Sequence, residues 1–460
     1  MRLGSAALLA VALAALAGGC SRGVRSAATV DGPISYRADE PAFVLDATAA
    51  VRGGETGIDV DLGVPRSSLA FRPAGAALQA VARWTVTLDR DGATVDTRTP
   101  ADTLREASAD AARRPGPVWR RVRFDVPPGR YRVRVRLDDP AAEETAVREA
   151  QVDVFAIDRR PALGEMRLEY LGDGGEATPA DPNAVSAGAD SLRAVVQATA
   201  VPDSATTVLT VVRLRSDVEP AAPPTDAATA PGSLERRGVD PSQLDTVRSV
   251  RQPLAAGDVL DVEAPLPALA PGVYTVRLDL ETSDGRPLDT ADRVVVVRRP
   301  DYPALTRLAD LAEPLVYLAG RSEVERVLEA ETPSARRRAF DRFWGERMDD
   351  RRLAAATVRV FYERVEQANR LFATYKDGWK TDPGMVYILF GPPAYVEPRP
   401  GGERWAYDGG ADAPATVTFE RTAGRVGDAG PFSILTLVRD RGYSEVWERA
   451  RSQWRSGVVP

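Results

Sequence analysis

The sequence predicts a multidomain chain: two tandem all-β sandwiches followed by an α+β C-terminal domain, in which helices precede a small antiparallel sheet. Three observations lead there. Short stretches alternating apolar and polar residues, separated by Gly, Pro and Asp, dominate the first two thirds of the chain. One strand phrase occurs twice, at Pro128 and again at Pro271. After Pro300 the apolar spacing changes from twos to threes and fours.

At 460 residues and 44% hydrophobic content the chain is too long for a single core. A net charge of -6 supplies no basic field to neutralise phosphates, which excludes nucleic acid as a partner class. The chain has no histidine and one cysteine, so Ser-His-Asp, Cys-His, zinc and iron sites cannot be assembled. No cofactor or metal is expected. Catalysis, if any, would rest on carboxylates, lysine, serine, tyrosine or oxygen-ligated calcium or magnesium.

The single cysteine, Cys20, closes an N-terminal stretch with one charge at Arg2, an apolar run from Leu3 to Ala17 and then small residues, which is the layout of an export signal. Leu-Ala-Gly-Gly-Cys resembles a bacterial lipobox, with Leu16 one step further from the cysteine than the usual pattern. The resemblance implies that residues 1–19 are a signal peptide and that Cys20 is lipidated as the first residue of the mature chain. Several acyl chains would anchor it stably to a membrane. Ser21 in place of aspartate points to the outer membrane, facing the periplasm or the cell surface. Residues 20–31 read as a tether.

The two strand phrases define the β region. "PGRYRVRVRLDD" places Tyr131, Val133, Val135 and Leu137 on one face and Arg130, Arg132, Arg134 and Arg136 on the other. "PGVYTVRLDLET" repeats the pattern with Tyr274, Val276, Leu278 and Leu280 inward. The spacing suits one domain per copy, 32–160 and 161–300. The lead-in from Leu269 to Tyr274 resembles the tyrosine corner of immunoglobulin-like and fibronectin-like sandwiches, in which a buried tyrosine hydroxyl ties a turn back to the backbone. The arginine row reads as a solvated face. The Pro/Ala/Thr segment starting at Asp217 reads as a disordered excursion between strands.

Beyond Pro300, Leu305, Leu308, Leu311, Leu315 and Leu318 keep helical spacing, and Thr332-Pro333 is a helix start. Phe340, Phe343 and Trp344 share one face of that helix. Ala354, Val358, Phe361, Val365, Ala368 and Phe372 form the apolar stripe of a longer one. Asp377-Gly378 then reads as its stop, Asp382-Pro383-Gly384 as a turn, and Met385 to Phe390 as a buried central strand ended by Gly391-Pro392-Pro393. Runs at Arg404, Ala415 and Phe432 supply further strands.

Gly378-Trp379-Lys380-Thr381-Asp382 resembles the signature of the GWxTD-domain family of bacterial proteins, together with "FDRFW", "FYERVEQANRLF", "VYILFGPP" and Trp405 across residues 301–460. The resemblance implies an exported or lipid-anchored protein with β-sandwiches ahead of the motif, and it brings no catalytic residues. Candidate binding residues are Trp379, Thr381, Asp382 and the chain's two lysines, Lys376 and Lys380. Trp379 suits stacking on a ligand or filling the gap between helix and sheet equally well. Two functions from different classes remain. One is a non-enzymatic, envelope-anchored binding or assembly module with a protein or glycan partner. The other is a glycan hydrolase using carboxylates among Asp377, Asp382, Glu403 and Asp408, beside Trp379, Trp405 and Tyr407.

Overall fold

The computed structural model describes residues 41–460 apart from 115, 157–159, 217, 224–238, 346–347, 349, 409–413 and 424–432. Cys20, the signal, the tether and most of the segment after Asp217 lie outside the described residues. The fold is mostly β, with several sheets, and ends in a helical region plus a small sheet.

In the first β unit, strands Val44–Arg52, Glu55–Pro65 and Pro117–Asp125 form one antiparallel sheet. A second sheet is built around Ala77–Arg90, Gly129–Asp139 and Glu144–Val154. Inward residues of both, including Ile58, Leu62, Trp84, Phe124, Val133 and Leu137, share one core. The arginines of the Gly129–Asp139 strand point away from it. Arg130 pairs with Asp153, Arg134 with Glu149 and Arg136 with Asp138, exposed pairs that contribute little.

The second β unit also pairs two sheets. One is centred on Leu192–Val201, the other on Ala205–Ser216, Gly272–Glu281 and Pro287–Arg298, and they share a core around Val196, Val211, Val276 and Val295. The repeated phrase behaves alike in both units. The Tyr131 hydroxyl donates to Pro127 O and the Tyr274 hydroxyl to Ala270 O, each at 2.8 Å and each four residues upstream. An arginine from the neighbouring strand, Arg90 or Arg213, covers each ring.

The two β units meet across a polar seam. Gln197 accepts from Val51 N and donates to Val51 O, while the Arg293 guanidinium reaches Asp46 at 2.8 Å and Met166 O at 2.6 Å. Glu165 accepts from Ala49 N at 3.3 Å in the same seam, and burial pushes its carboxyl up to about 8. Asp46 and Asp153 add to that rise, and Arg293 opposes it. Between the ordinary glutamate value and about pH 8, the native chain therefore holds a proton that the unfolded chain has lost, so this group's contribution to stability falls as pH rises. Glu165→Gln should flatten the decline in urea midpoint between pH 5 and pH 8; an unchanged slope would remove Glu165 as its source.

The C-terminal unit begins with a short helical stretch, then helices Arg321–Leu328, Pro333–Gly345 and Arg351–Phe372. Phe343, Trp344, Phe361, Val365, Ala368 and Phe372 join one core, as their helical spacing predicts. The four strands Tyr395–Arg399, Gly402–Ala406, Thr416–Ala423 and Ser433–Leu437 form an antiparallel sheet in chain order.

Three expectations about the motif region are corrected. Met385 to Phe390 is not a strand and Asp382-Pro383-Gly384 is not a separate turn: Asp382–Phe390 is a helix with all nine residues buried. A run apolar on every side has no periodicity to separate a buried helix from a buried strand. The deciding signal is local: Thr381 caps the helix through its hydroxyl, with Pro383 in the first turn, the same kind of start as Thr332-Pro333. Nor is Gly378 the stop of the long helix, which ends at Phe372, with Ala373 extended. Gly378 opens a 3-10 turn, Gly378–Lys380, without a positive φ. A closing helix, Ser444–Ser456, has no counterpart in the sequence-based expectation. Its Trp454 indole donates to Leu389 O at 3.0 Å and helps to cap the motif helix.

Candidate functional site

The GWKTD loop lies where the long helix, the motif helix and the last strand converge. Its two glycines are there for close approach. A Cβ on Gly378 would stand 1.9 Å from Ala368 O in the long helix, and one on Gly384 would stand 2.0 Å from Gly378 O. Both obstacles are backbone, which cannot swing aside. Gly378→Ala is expected to destabilise the chain by about 3 kcal/mol, the upper part of the usual overpacking cost. A urea midpoint within error of wild type would mean that the three backbones are not packed this closely.

Trp379 is 4% exposed. Its ring meets Tyr317 edge-on at 6.0 Å, and Lys380 Nζ lies over it, 5.2 Å from the ring centroid. Its main-chain N–H donates to the Asn369 side chain at 3.2 Å, and its carbonyl accepts from the Tyr317 hydroxyl at 2.8 Å. Thr381 Oγ1 donates to Gly378 O at 2.7 Å while accepting from Gly384 N, so one hydroxyl closes the 3-10 turn and starts the motif helix.

Asp382 is buried against the Arg439 guanidinium in a two-pronged contact of 2.7 and 3.0 Å, and also accepts from Leu437 N at 2.8 Å. The first turn of the motif helix is thereby joined to the end of strand Ser433–Leu437. Lys380 reaches Glu313 at 3.6 Å and Asp377 at 3.9 Å.

Asp377 also pairs with Arg298, the last residue of strand Pro287–Arg298. The buried Arg298 guanidinium donates to Thr374 O at 2.5 Å and stacks on Tyr302. Leu214, Val273 and Val294 of the second β unit pack on Tyr375 beside it. Thus the loop is continuous with the last hairpin of that unit.

The described part of the Pro/Ala segment, residues 218–223, crosses this same surface. Lys376 Nζ donates to Glu219 O at 2.9 Å. Ala221 N donates to the Tyr317 hydroxyl at 3.2 Å, and the Ala221 side chain joins the C-terminal core. Arg439 donates to Ala222 O at 3.0 Å and Pro223 O at 3.3 Å. Arg321 pairs with the Glu219 carboxylate. Burial holds the Tyr317 phenol well above the usual tyrosine range, so it stays a hydroxyl that both donates and accepts.

The candidate residues thus gather in one place, with Trp379, Thr381 and Asp382 inside and the lysines at the rim. The carboxylates considered for hydrolysis do not share one setting. Asp377 and Asp382 are paired with arginines, Glu403 is fully buried and accepts from the Trp405 indole, and Asp408 is exposed beyond strand Gly402–Ala406. Among the described residues, no group of three or more Asp, Glu or Cys could hold a metal ion. No helix among them is long and apolar enough to cross a membrane. Tyr317, Asn369, Arg439 and Arg298 were not legible as site residues. Only Asn369 carries a local signal, as a polar residue beside Ala368 on an apolar stripe.

Fold and site together define a mostly β chain whose C-terminal helical unit is built around a buried Gly-Trp-Lys-Thr-Asp corner. Residues 272–456 match the family model described as the GWxTD domain, and the chain carries a GWxTD domain there. The match starts at Gly272, ahead of the expected 301, and so takes in the hairpin that supplies Arg298 and Val294. No curated protein matches the sequence. Likenesses among solved structures are remote. Red sea bream transglutaminase is 13% identical over 56% of this chain and 31% of its own, with a TM-score of 0.17. Escherichia coli alpha-2-macroglobulin activated by porcine elastase is 14% identical over 56% of this chain and 24% of its own, with a TM-score of 0.17. The C-terminal domain of the Streptococcus pyogenes antigen I/II-family protein AspA is 8% identical over 57% of this chain and 100% of its own, with a TM-score of 0.17. The chain spans less than a third of the first two, and such TM-scores carry no argument about fold or function.

Proposed function

We propose that the protein is a non-enzymatic, envelope-anchored scaffold or binding module, held at the outer membrane through lipidated Cys20, with a protein or glycan partner. The observation that carries this reading is the state of the motif. Asp382, the acid of the signature, is neutralised by Arg439 on one side and tied to a strand amide on the other, so the loop holds parts together and presents no group poised to react. The buried pair Arg293–Asp46 and the half-buried pair Arg298–Asp377 join successive units, which suits a spacer that carries the GWxTD domain away from a membrane.

The two β units belong, in this reading, to the immunoglobulin-like or fibronectin-like sandwiches. The support is the tyrosine hydrogen bond repeated at Tyr131 and Tyr274, together with paired sheets over one core. The glycan-hydrolase alternative draws no comparable support from the placement of its carboxylates.

Anchoring is checked by fractionation. The wild-type chain is expected in the membrane fraction, and Cys20→Ser in the soluble fraction of the envelope. Equal solubility of the two would overturn the anchor.

A further inference from the structure

The surface that receives residues 218–223 is chemically a peptide site. Four contacts fix this segment through its main chain: the carbonyls of Glu219, Ala222 and Pro223 accept from Lys376 and Arg439, and the Ala221 N–H donates to Tyr317. Its one buried side chain is a methyl group, Ala221. Recognition of this kind reads backbone and shape, with room for little more than alanine at the central position. Glu219 adds charge through Arg321, with Lys376 beside it at the rim.

The occupant is matched to such a site. Val-Glu-Pro-Ala-Ala-Pro holds two prolines, which lack N–H groups and favour extended backbone, so little chain entropy is lost on docking. The side chains that hold it are themselves fixed: Tyr317 by the carbonyl of Trp379 and Arg439 by Asp382. The buried signature therefore acts behind the surface, orienting the groups that face the peptide.

We propose that this face of the GWxTD domain is a binding site for extended, acidic Pro/Ala segments presented by another protein, with residues 218–223 as a resident ligand that a segment of the same chemistry displaces. This deepens the scaffold reading by giving the module a ligand class. The two are tested separately, since fractionation reports the anchor and peptide binding reports this site. A tethered segment competes at an effective concentration on the order of millimolar, so the wild-type chain should bind a free peptide weakly.

The probe is a fluorescently labelled peptide, Val-Glu-Pro-Ala-Ala-Pro-Pro, titrated into the full chain and followed by anisotropy. Ala221→Trp, too large for the methyl site, should evict the resident segment and tighten peptide binding at least tenfold over wild type. Adding Lys376→Ala should reverse most of that gain. In the wild-type chain, saturating peptide should raise hydrogen exchange at the Ala221 amide. No binding by a folded Ala221→Trp chain, or an Ala221 amide equally protected with and without peptide, would overturn the proposal. If Ala221→Trp does not fold, the wild-type exchange experiment decides alone.

Discussion

Asp382→Ala is expected to destabilise the chain by about 3–5 kcal/mol, the usual cost of removing one partner from a buried ion pair. Three losses combine. Arg439, with its side chain only 5% exposed, keeps its charge without a counter-ion. Leu437 N loses its acceptor at the end of a strand, and a buried unpaired amide is costly in its own right. The motif helix also loses an acidic residue from its first turn, where the helix dipole favours one. The double variant Asp382→Ala with Arg439→Met should recover part of the loss, because the stranded charge is gone, and the coupling in that cycle measures the pair. A single-variant cost below about 1 kcal/mol would place the pair among screened surface contacts instead.

Trp379→Ala is expected to cost about 3–5 kcal/mol, as large-to-small changes in a core do. The buried indole lies between Tyr317 and the Lys380 ammonium, and its removal leaves Tyr317 without its edge-on partner. In urea the midpoint should fall while the slope stays near the wild-type value, which marks lost stability and not a changed unfolded state. A tryptophan that served to stack on an external ligand would behave oppositely, leaving the midpoint unmoved when truncated. The same experiment thus separates the two uses of Trp379 that the sequence leaves open.

Much of the architecture was legible because the signal was local. Tyr131, Val133, Val135 and Leu137 alternate with arginines, and a strand with one wet face is the arrangement that buries the first set and solvates the second. Phe361, Val365, Ala368 and Phe372 recur at helical spacing and occupy one core. The arginine row is exposed, as its alternation predicts, and meets carboxylates of its own or neighbouring strands. Periodicity disappears at one place, Met385 to Phe390, and there the expected strand is a helix. Thr381 and Pro383 carry the information as its cap and first turn, where Asp382-Pro383-Gly384 by itself reads as a turn.

By itself the sequence determined the mostly β body, the helical C-terminal region and the presence of the Gly-Trp-Lys-Thr-Asp signature, all of which depend on residues close together in the chain. Tertiary structure alone decided that Asp382 meets Arg439, that Arg298 reaches Asp377, and that residues 218–223 lie across Tyr317. Those partners come from different elements and, for the Pro/Ala segment, from the second β unit meeting the C-terminal one. Charge and hydrogen-bonding capacity are visible in a residue's identity, but the partner that satisfies them is chosen by packing, since burial makes an unpaired polar group too costly to leave.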